Sequence, residues 1–425
     1  MAHYKLKNFA TGNVFDDIGW MLSDPSYDKP SLIRAVYDNK KLSVGEESDG
    51  IYKFADWLPI NRNLKNSSST KTYRSSKLAS HLGFTNLYIS YSGYWPQIGA
   101  DMTTCSFKET EAYSVCARLT EQQNGVMVVA SAGNTARAFA KVCSDNDIPL
   151  LLIIPESNID SMWFEHKIKD NVKLICTPVG SDYFDSIDLS TKICKSHKFF
   201  EEGGAKNVAR RDGMGTTVLS AATTIGVIPD YYFQAIGSGT GTIAAWEANL
   251  RLLEDGSYGN TKMKLVPSQN IPFTPILDAW ERNSRQIIFA DENEARKNAL
   301  KIDAKVLSNR RPPYGIPGGL YDALKDTDGT IEAVTNKELE IACNMFESFE
   351  GVDIHPASGV ALAGMLKFIQ KENIDKESVL MLNITGGGEK LFKSSKDLYY
   401  LKPDMILDNN LDLDLIIKKA ESLFY

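Results

Sequence analysis

A lysine stands at an unusual position in the stretch TTCSFKETEA, residues 103–112. Ser106 and Glu109 have the S-x-x-E spacing of a capping box, which predicts a helix that starts with Ser106 as its N-cap. Lys108 then lies in the first helical turn, where the positive end of the helix dipole disfavours an ammonium group. The lowered pKa that this placement implies suits an amine that acts as a nucleophile and a base near neutral pH. Lys108 is therefore either a surface charge in an unfavourable place or an amine that is meant to be uncharged.

A glycine-rich turn, GSGTG at residues 237–241, could hold an anion. It follows the apolar stretch YYFQAI and precedes a helical pattern, so its backbone N–H groups are predicted to surround a concavity that suits a phosphate group. The dinucleotide fingerprint G-x-G-x-x-G is incomplete, because Thr242 stands where the third glycine belongs, and no lysine followed by serine or threonine completes a P-loop. The turn therefore predicts either a phosphate cradle or a tight strand-to-helix connection without a ligand. The residues concerned are Gly237, Ser238, Gly239, Thr240 and Gly241.

Two further loops follow predicted strands and carry side chains that can bind a ligand. In SAGNT, residues 131–135, Asn134 either caps the next helix or contacts a planar ligand, while the hydroxyl and amide groups of the loop could collect a carboxylate. In NITGGG, Thr385 precedes three glycines, which indicates either a close approach of the backbone to another group or a flexible turn. His355, in HPASGVALAG, is expected to precede a helix rather than to act in catalysis. The carboxylate-binding residues predicted in the first loop are Ser131, Ala132, Gly133 and Thr135.

Taken together, these motifs supply the parts that hold pyridoxal 5′-phosphate. A lysine meets its aldehyde carbon, an asparagine its ring 3-oxygen, a glycine loop its phosphate and a threonine its pyridine nitrogen. Other chemistries lack their motifs, since the sequence has no H-E-x-x-H, no G-x-S-x-G and no cluster of cysteines and histidines, so no metal site is predicted. Two alternatives stay open. A nucleotide-binding oxidoreductase built on the turn at Gly237 would make no use of Lys108 or Asn134, and an interaction protein without a cofactor would use none of the three.

The elements that must position these residues alternate along the chain. Short apolar stretches predict buried strands at residues 125–130, 148–155, 172–178, 231–236 and 379–388, with helical patterns between them. Strands that are apolar on both faces and alternate with helices indicate parallel sheets. A chain of 425 residues also exceeds the size at which a single core usually stops growing. We therefore predict an α/β protein with two open, mostly parallel, twisted sheets flanked by helices.

The composition excludes several function classes. Lys and Arg number 47 and Asp and Glu 54, which gives a formal net charge of −7 without any block of like charges, so neither nucleic acid nor a membrane surface is expected as a partner. The longest aliphatic run, IPLLLIIP, is too short to span a bilayer, and the first residues lack the apolar core of a signal peptide. The 6 cysteines are scattered without a C-x-x-C pair, as in reduced proteins of the cytoplasm. We expect a cytoplasmic enzyme, in a homo-oligomer, that acts on small molecules.

Several of these motifs occur in the order found in fold-type II, or tryptophan-synthase-like, pyridoxal-phosphate enzymes. SFKETEA resembles the Schiff-base lysine segment of the threonine synthase branch, SAGNT resembles its asparagine loop, and GSGTG is similar to the phosphate loop of the wider family. The likeness extends roughly from Leu58 to Glu389. Threonine synthases usually have a phosphate loop of the form G-N-x-G-N, which counts against that enzyme itself. The stretches GYWPQIGADMTTCSFKETEA and GIPGGLYDAL are more similar to a related branch that makes L-cysteate from O-phospho-L-serine and sulfite.

The resemblance implies a role for each residue. Lys108 would bind the cofactor as a Schiff base and, once released, remove the Cα proton of the substrate. Asn134 would hydrogen-bond the ring 3-oxygen, residues 237–241 would bind the phosphate, and Thr385 would face the pyridine nitrogen. A hydroxyl in that place leaves the nitrogen largely unprotonated, which favours prompt loss of a β-leaving group. Elimination of phosphate followed by addition of sulfite fits this arrangement; threonine formation from O-phosphohomoserine and water, or another β-replacement, is the alternative.

An anionic leaving group and an anionic nucleophile call for cations besides Lys108. Arg210 and Arg211, in NVARRDGMG, are the candidates for substrate binding, and Arg137, one turn into the helix after Asn134, is a third. A solvated surface arginine is the more common case for each. The glycine-rich surroundings of Arg210 and Arg211 favour that pair over Arg137.

The family likeness also implies a division of the chain. Residues 1–112 and 212–425 are expected to form a larger cofactor domain, and residues 113–211 a smaller, mobile one. The cofactor would then lie between the two domains.

Overall fold

The computed structural model of the chain describes residues 2–45, 50–120, 123–131 and 133–425. The largest sheet in this part of the chain has six strands. In spatial order its strands are Glu332–Val334, Lys264–Asn270, Tyr231–Ala235, Val379–Ile384, Asn86–Tyr91 and Lys71–Arg74. All neighbours are parallel except the last pair, which is antiparallel. The inner strands are buried along most of their length, as parallel strands covered on both faces must be.

A second sheet has five strands, all of them parallel. In spatial order they are Phe199–Glu201, Val126–Ala130, Leu150–Pro155, Val172–Thr177 and Met405–Ile406. Every residue of the central strand, Leu150–Pro155, is buried, which explains its unbroken apolar sequence. The prediction of two open, mostly parallel sheets is confirmed.

The other strands are short or lie near the N-terminus. They form an antiparallel sheet of Val14–Phe15, Tyr4–Asn8 and Ile33–Tyr37, and two pairs, Trp163–Phe164 with Tyr399–Tyr400 and Tyr94–Trp95 with Ala100–Asp101. The α-helices are Lys77–Leu82, Lys108–Arg118, Asn134–Asp145, Tyr183–Ile193, Val208–Ile225, Thr240–Asp255, Pro275–Glu281, Glu292–Lys301, Leu320–Asp326, Asn336–Glu350, Pro356–Lys371, Glu389–Ser395 and Leu413–Glu421. Short 3-10 helices are Gly50–Trp57, Pro96–Ile98, Glu156–Ser161, Gly204–Lys206 and Lys305–Leu307. Among the described residues, none of these helices has both the length and the apolar character that crossing a membrane requires.

Helices cover both faces of each sheet. Pro356–Lys371 packs on one face of the six-stranded sheet and Val208–Ile225 on the other. Asn134–Asp145 and Tyr183–Ile193 cover opposite faces of the five-stranded sheet. In open α/β sheets of this kind, ligands bind beyond the carboxyl ends of the strands.

The C-terminal segment differs from the division expected from the sequence, which placed all of residues 212–425 with the larger sheet. Met405–Ile406 instead pairs with the smaller sheet, and helix Leu413–Glu421 buries Ile416 and Ala420 against Leu189 and Ile193. This burial of apolar surface on the outer face of the smaller sheet stabilises the segment there. A two-residue strand gives too short a pattern to predict such a return.

Candidate active site

One pocket lies where strands of both sheets end. Its edge is formed by loops that follow three parallel strands, and helices begin there at Lys108, Asn134, Tyr183, Thr240 and Pro356. The N-terminal N–H groups of helices create a positive potential that favours anions. The sequence-predicted residues that line the pocket are Lys108, Ser131, Gly133, Asn134, Thr135, Arg210, Gly237, Ser238, Gly239, Thr240, Gly241, His355 and Thr385. Arg137 and Arg211 do not reach it, and Ala132 lies outside the described residues.

The segment that carries Lys108 is held against the end of a strand rather than by a capping box. Ser106 pairs with Gly386 in an isolated bridge, and the Phe107 N–H donates to the carbonyl of Thr385 at 2.9 Å. The fully buried Glu109 carboxylate accepts hydrogen bonds from Ser68 Oγ at 2.7 Å and from the backbone N–H of Thr104 at 2.6 Å. The predicted capping box is therefore wrong, because two donors from other segments take up the Glu109 side chain.

Lys108 is the first residue of its helix and its side chain is only 21% exposed. Its Nζ donates to Glu111 Oε2 at 3.2 Å and lies 4.8 Å from the centre of the Phe107 ring. Burial lowers the pKa of the Lys108 amine, the Glu111 carboxylate opposes this shift, and the Arg210 guanidinium adds to it. The pKa is lowered on balance, which is the direction predicted from the helix position.

Asn134 is oriented by a buried arginine. The helix begins at Asn134, with Gly133 as the residue before it, so the alternative in which Asn134 is the N-cap is wrong. Arg137 Nη2 donates to Asn134 Oδ1 at 3.0 Å, and Arg137 is itself bonded to the carbonyls of Thr104 and Ser161. Because Oδ1 is taken, the Nδ2 amide of Asn134 is the group that can donate to a ligand.

The three glycines of the turn at residues 237–241 have close neighbours that leave no room for a side chain. A Cβ on Gly237 would lie 2.9 Å from the Cα of Leu307, and one on Gly241 would lie 2.5 Å from the side-chain nitrogen of Gln234. Gly239 has a φ of +77°, which glycine adopts without strain. The N-cap of the helix that follows, Gly239, has no side chain, and Ser238 Oγ accepts a hydrogen bond from the N–H of Thr240 at 3.3 Å. The turn thus presents a helix N-terminus lined by backbone amides, which fits the phosphate group of pyridoxal phosphate.

Thr385 and His355 also line the pocket. Thr385 directly follows the strand Val379–Ile384 and is 8% exposed. His355 Nδ1 accepts a hydrogen bond from the N–H of Ala357 at 3.1 Å, so His355 caps its helix as the sequence predicts. Burial lowers the pKa of His355 to about 4, which keeps the imidazole neutral with Nε2 as its donor.

Arg210 and Arg211 are neighbours on one helix and have different partners. Arg210 reaches the pocket, where its Nε donates to Glu202 Oε1 at 2.8 Å and its Nη1 lies 3.2 Å from Glu111. Arg211 is fully buried and pairs with Glu247 at 3.0 Å and with two backbone carbonyls. Of the two arginines, only Arg210 lies where it can act on a ligand directly. Its positive charge is already balanced by the carboxylates of Glu111 and Glu202.

Sequence reasoning missed several residues that line the pocket or bond directly to residues that line it. They are Glu111, Tyr183, Glu202, Ser308 and Asn309. Glu111 alone carried a signal, because residues three apart on a helix share a face and it follows Lys108 by three. The others come from segments far away in sequence, which only the tertiary structure brings to this place.

The residues present fit pyridoxal phosphate. An amine of lowered pKa, an amide with its donor free, a glycine cradle and a buried threonine surround one space. A dinucleotide-binding oxidoreductase would need neither Lys108 nor Asn134 at this turn.

Comparisons with known proteins agree with this geometry. The model of the family "Pyridoxal-phosphate dependent enzyme" matches residues 69–386. Cysteate synthase of Methanosarcina acetivorans is 46% identical over 89% of this chain and 91% of its own length. Cysteate synthase of Methanosarcina barkeri is 44% identical over 95% of this chain and 96% of its own length.

Solved structures share the fold at low sequence identity. Serine racemase of maize superposes with a TM-score of 0.56 at 15% identity, over 77% of this chain and 91% of that protein. Serine racemase of Dictyostelium discoideum gives a TM-score of 0.53 at 16% identity, over 75% of this chain and 92% of that protein. From the family match and the similarity to relatives along most of its length, the chain belongs to the pyridoxal-phosphate-dependent enzymes of fold type II, in the cysteate synthase group.

Proposed function

We propose that the chain catalyses a β-replacement in which O-phospho-L-serine and sulfite give L-cysteate and phosphate. The observation that carries the proposal is the convergence of Lys108, Asn134, residues 237–241 and Thr385 on one pocket. The name of the relatives that match the chain along most of its length supports the choice of product.

Each part of the cofactor has a residue suited to it. When bound, pyridoxal phosphate supplies an electron sink for the charge that develops at the Cα of an amino-acid substrate. Lys108 would hold it through Nζ and residues 237–241 would hold its phosphate group. Asn134 would donate from Nδ2 to the ring oxygen, and the hydroxyl of Thr385 would contact the ring nitrogen.

The chain's own groups would then move one proton and bind the carboxylate of the substrate. Once free, Lys108 Nζ takes the Cα proton of O-phospho-L-serine, phosphate leaves from Cβ, sulfite adds at Cβ, and the proton returns to Cα. Ser131 Oγ accepts from the N–H groups of Gly133 and Ala136, so its own O–H remains free to donate to the substrate carboxylate. The backbone amides of the same helix N-terminus, that of Thr135 included, would complete this carboxylate site. The Thr135 hydroxyl itself donates to Glu111 Oε1 at 3.1 Å.

The test is a paired assay on the protein loaded with pyridoxal phosphate. Phosphate release from O-phospho-L-serine should require sulfite or be accelerated by it, with cysteate as the product identified by mass spectrometry. Release from O-phosphohomoserine with formation of threonine would instead move the protein to the alternative reaction.

Lys108→Ala supplies the control on the site. It should abolish turnover and also the cofactor's covalent attachment, which is detected as an added mass after borohydride reduction. Lys390→Ala, five residues beyond Thr385 but with a side chain that is 73% exposed and paired with Glu347, should retain both. Wild-type protein that takes up no cofactor would overturn the proposal.

A further inference from the structure

Glu111 is a buried carboxylate behind the pocket that the proposed reaction has not used. It is 0% exposed and lies three residues after Lys108 on the same face of the helix. One of its oxygens, Oε2, accepts from Lys108 Nζ at 3.2 Å. The other, Oε1, accepts from the Thr135 hydroxyl at 3.1 Å and lies 3.2 Å from Arg210 Nη1. Glu111 therefore joins the reactive amine to the loop proposed to bind the substrate carboxylate.

We propose that Glu111 is a positioning residue: it holds the Lys108 amine beside the pocket whenever that amine is free, and it stabilises the amine once it has taken a proton. The inference rests on the proposed function, because it concerns the interval in which Lys108 carries the Cα proton of the substrate.

The balance of charge behind the pocket supports this role. Two carboxylates, Glu111 and Glu202, face two cations, Lys108 and Arg210. These four groups are neutral as a set only when Lys108 is protonated; with a neutral amine, one buried negative charge is left over. Because an uncompensated buried charge is costly, the Glu111 carboxylate stabilises the protonated amine and opposes, without reversing, the lowering of the Lys108 pKa by burial.

The other titratable groups of the pocket do not disturb this balance. Burial lowers the pKa of His355 to about 4, and burial raises the pKa of Tyr183, so both are neutral near pH 7. Nε and Nη2 of Arg210 both donate to the Glu202 carboxylate, and these two bonds fix the orientation of the guanidinium. In that orientation Nη1 lies beside Glu111. The position of Glu111 is thus fixed from the side away from Lys108.

The direction of the effect on Lys108 follows from these contacts. Burial lowers the pKa of the Lys108 amine, Arg210 lowers it further, and Glu111 raises it. Removing the charge of Glu111 should therefore lower the pKa of the amine below its value in the native protein.

The experiment measures how fast the apoprotein captures pyridoxal phosphate at different pH values, followed by visible absorbance. Only the neutral amine can attack: the Lys108 nitrogen adds to the aldehyde carbon and water leaves, so the pH midpoint of the rate reports the pKa of the amine. In Glu111→Gln the midpoint should move to lower pH by about 1–2 units, the size of a lost charge-assisted hydrogen bond. In the loaded enzyme, kcat should fall by about tenfold to a hundredfold while KM changes little, as for proton transfer by a mispositioned base.

Glu109→Gln is the matched control. Glu109 belongs to the same helix and is equally buried, but it bonds Ser68 and Thr104 rather than Lys108. Its midpoint should match that of the wild type. Glu202→Gln should shift the midpoint in the same direction as Glu111→Gln but by less, since Glu202 acts through Arg210, and it decides the question if Glu111→Gln does not fold.

The outcomes separate the two proposals. Wild-type protein that captures no cofactor would overturn the proposed function together with this inference. Wild-type protein that captures the cofactor and makes cysteate, with Glu111→Gln and Glu202→Gln indistinguishable from Glu109→Gln, would overturn the inference about Glu111 alone.

Discussion

The pocket has two sides that are built in different ways. One side, the cofactor wall, consists of residues 237–241 and 385–388. The other side, the mouth, consists of residues 180–184 of the smaller sheet's unit and residues 308–311, which follow the 3-10 helix Lys305–Leu307.

The cofactor wall is closed by contacts between backbones. A Cβ on Gly388, whose φ is +73°, would lie 1.8 Å from the carbonyl oxygen of Tyr94, and one on Gly237 would lie 2.9 Å from the Cα of Leu307. Backbone atoms in a packed interior cannot rotate away as a side chain can. This side of the pocket therefore has a fixed shape, as the rigid ring and phosphate of a cofactor require.

The mouth is closed by ion pairs that remain partly in water. Arg310 Nη2 lies 2.8 Å from Asp182 Oδ2, and these side chains are 19% and 25% exposed. Arg296 donates to the carbonyl of Gly180 at 2.9 Å, and the Arg310 guanidinium lies 5.7 Å from the centre of the Phe184 ring. The chain neighbours of the ion pair, Tyr183 and Asn309, line the pocket. Contacts of this kind open at small cost, which suits the side through which substrates enter.

The largest expected effect comes from filling the space at Gly237. Gly237→Ala would press a methyl group on the backbone of Leu307, and overpacking of this kind costs about 3 kcal/mol at the upper end of its range, or about a hundredfold in affinity for the cofactor. Equilibrium titration of the apoprotein with pyridoxal phosphate measures the change. Gly256→Ala, at the other end of the same helix, is the control. Its φ of +71° makes an alanine strained there, but the added Cβ meets nothing within 4 Å, so the variant tests lowered stability without contact with the pocket. Equal affinities in the two variants would refute a rigid wall.

The sequence predicts a site residue well when its position depends on residues close to it in the chain, and poorly when it depends on distant ones. Lys108, Asn134, residues 237–241 and Thr385 each follow a strand or begin a helix, so local patterns were enough to place them at the carboxyl ends of the strands. The contact of Leu307 with Gly237 joins residues 70 positions apart, and no local pattern contains it.

The side chains were harder to predict than the elements. The S-x-x-E spacing favoured a cap at Glu109, but that carboxylate bonds Ser68 instead, and Glu111 contacts the reactive amine. Successive residues of a helix point in directions about 100° apart, so Arg210 and Arg211 cannot both face the same pocket directly. Only the packed structure decides which of the two faces it. A sequence pattern thus predicts that a charge is present, and the fold determines its partner.

A second prediction uses pH and His355, which stands beside the wall at Gly386. Its pKa is about 4 in the folded chain, lowered by burial and by Arg137 and raised somewhat by Glu389, against about 6.5 when unfolded. Between pH 6.5 and 4 the unfolded chain therefore binds the extra proton, and the free energy of unfolding falls as the pH falls through this window. The loss should be about 2 kcal/mol, below the limit of about 3 kcal/mol set by the shift, because the side chain retains some exposure.

His355→Asn isolates this contribution, since asparagine can also cap the helix that follows. Urea unfolding at pH 7 and pH 4.5 should show a smaller drop in stability for the variant than for the wild type. The same drop in both proteins would mean that His355 titrates normally and that this side of the pocket admits water.

The smallest effect is expected at the mouth, where Asp182→Asn removes a charge but keeps the cap of helix Tyr183–Ile193. A partly exposed pair contributes about 0.2–1 kcal/mol, so KM for O-phospho-L-serine should rise no more than about fivefold, while affinity for the cofactor stays unchanged. Arg310→Gln should give a similar rise, and the double variant should add little to either, because both changes break the 2.8 Å contact between Arg310 and Asp182. The other pairs of these two side chains are longer, 3.6 Å from Arg296 to Asp182 and 3.4 Å from Arg310 to Glu292. Added salt should bring the wild type closer to the variants, since it screens the pair.

Asp322→Asn is the control for this prediction. It breaks an ion pair with Arg285 that is also partly exposed and does not line the pocket, and it should leave KM as it is. Breaking the Arg285–Asp322 pair could instead raise KM as much as breaking the Arg310–Asp182 pair does. The contact between Arg310 and residues 180–184 would then have no special role in substrate entry, and the contrast between a fixed wall and an adjustable mouth would fail.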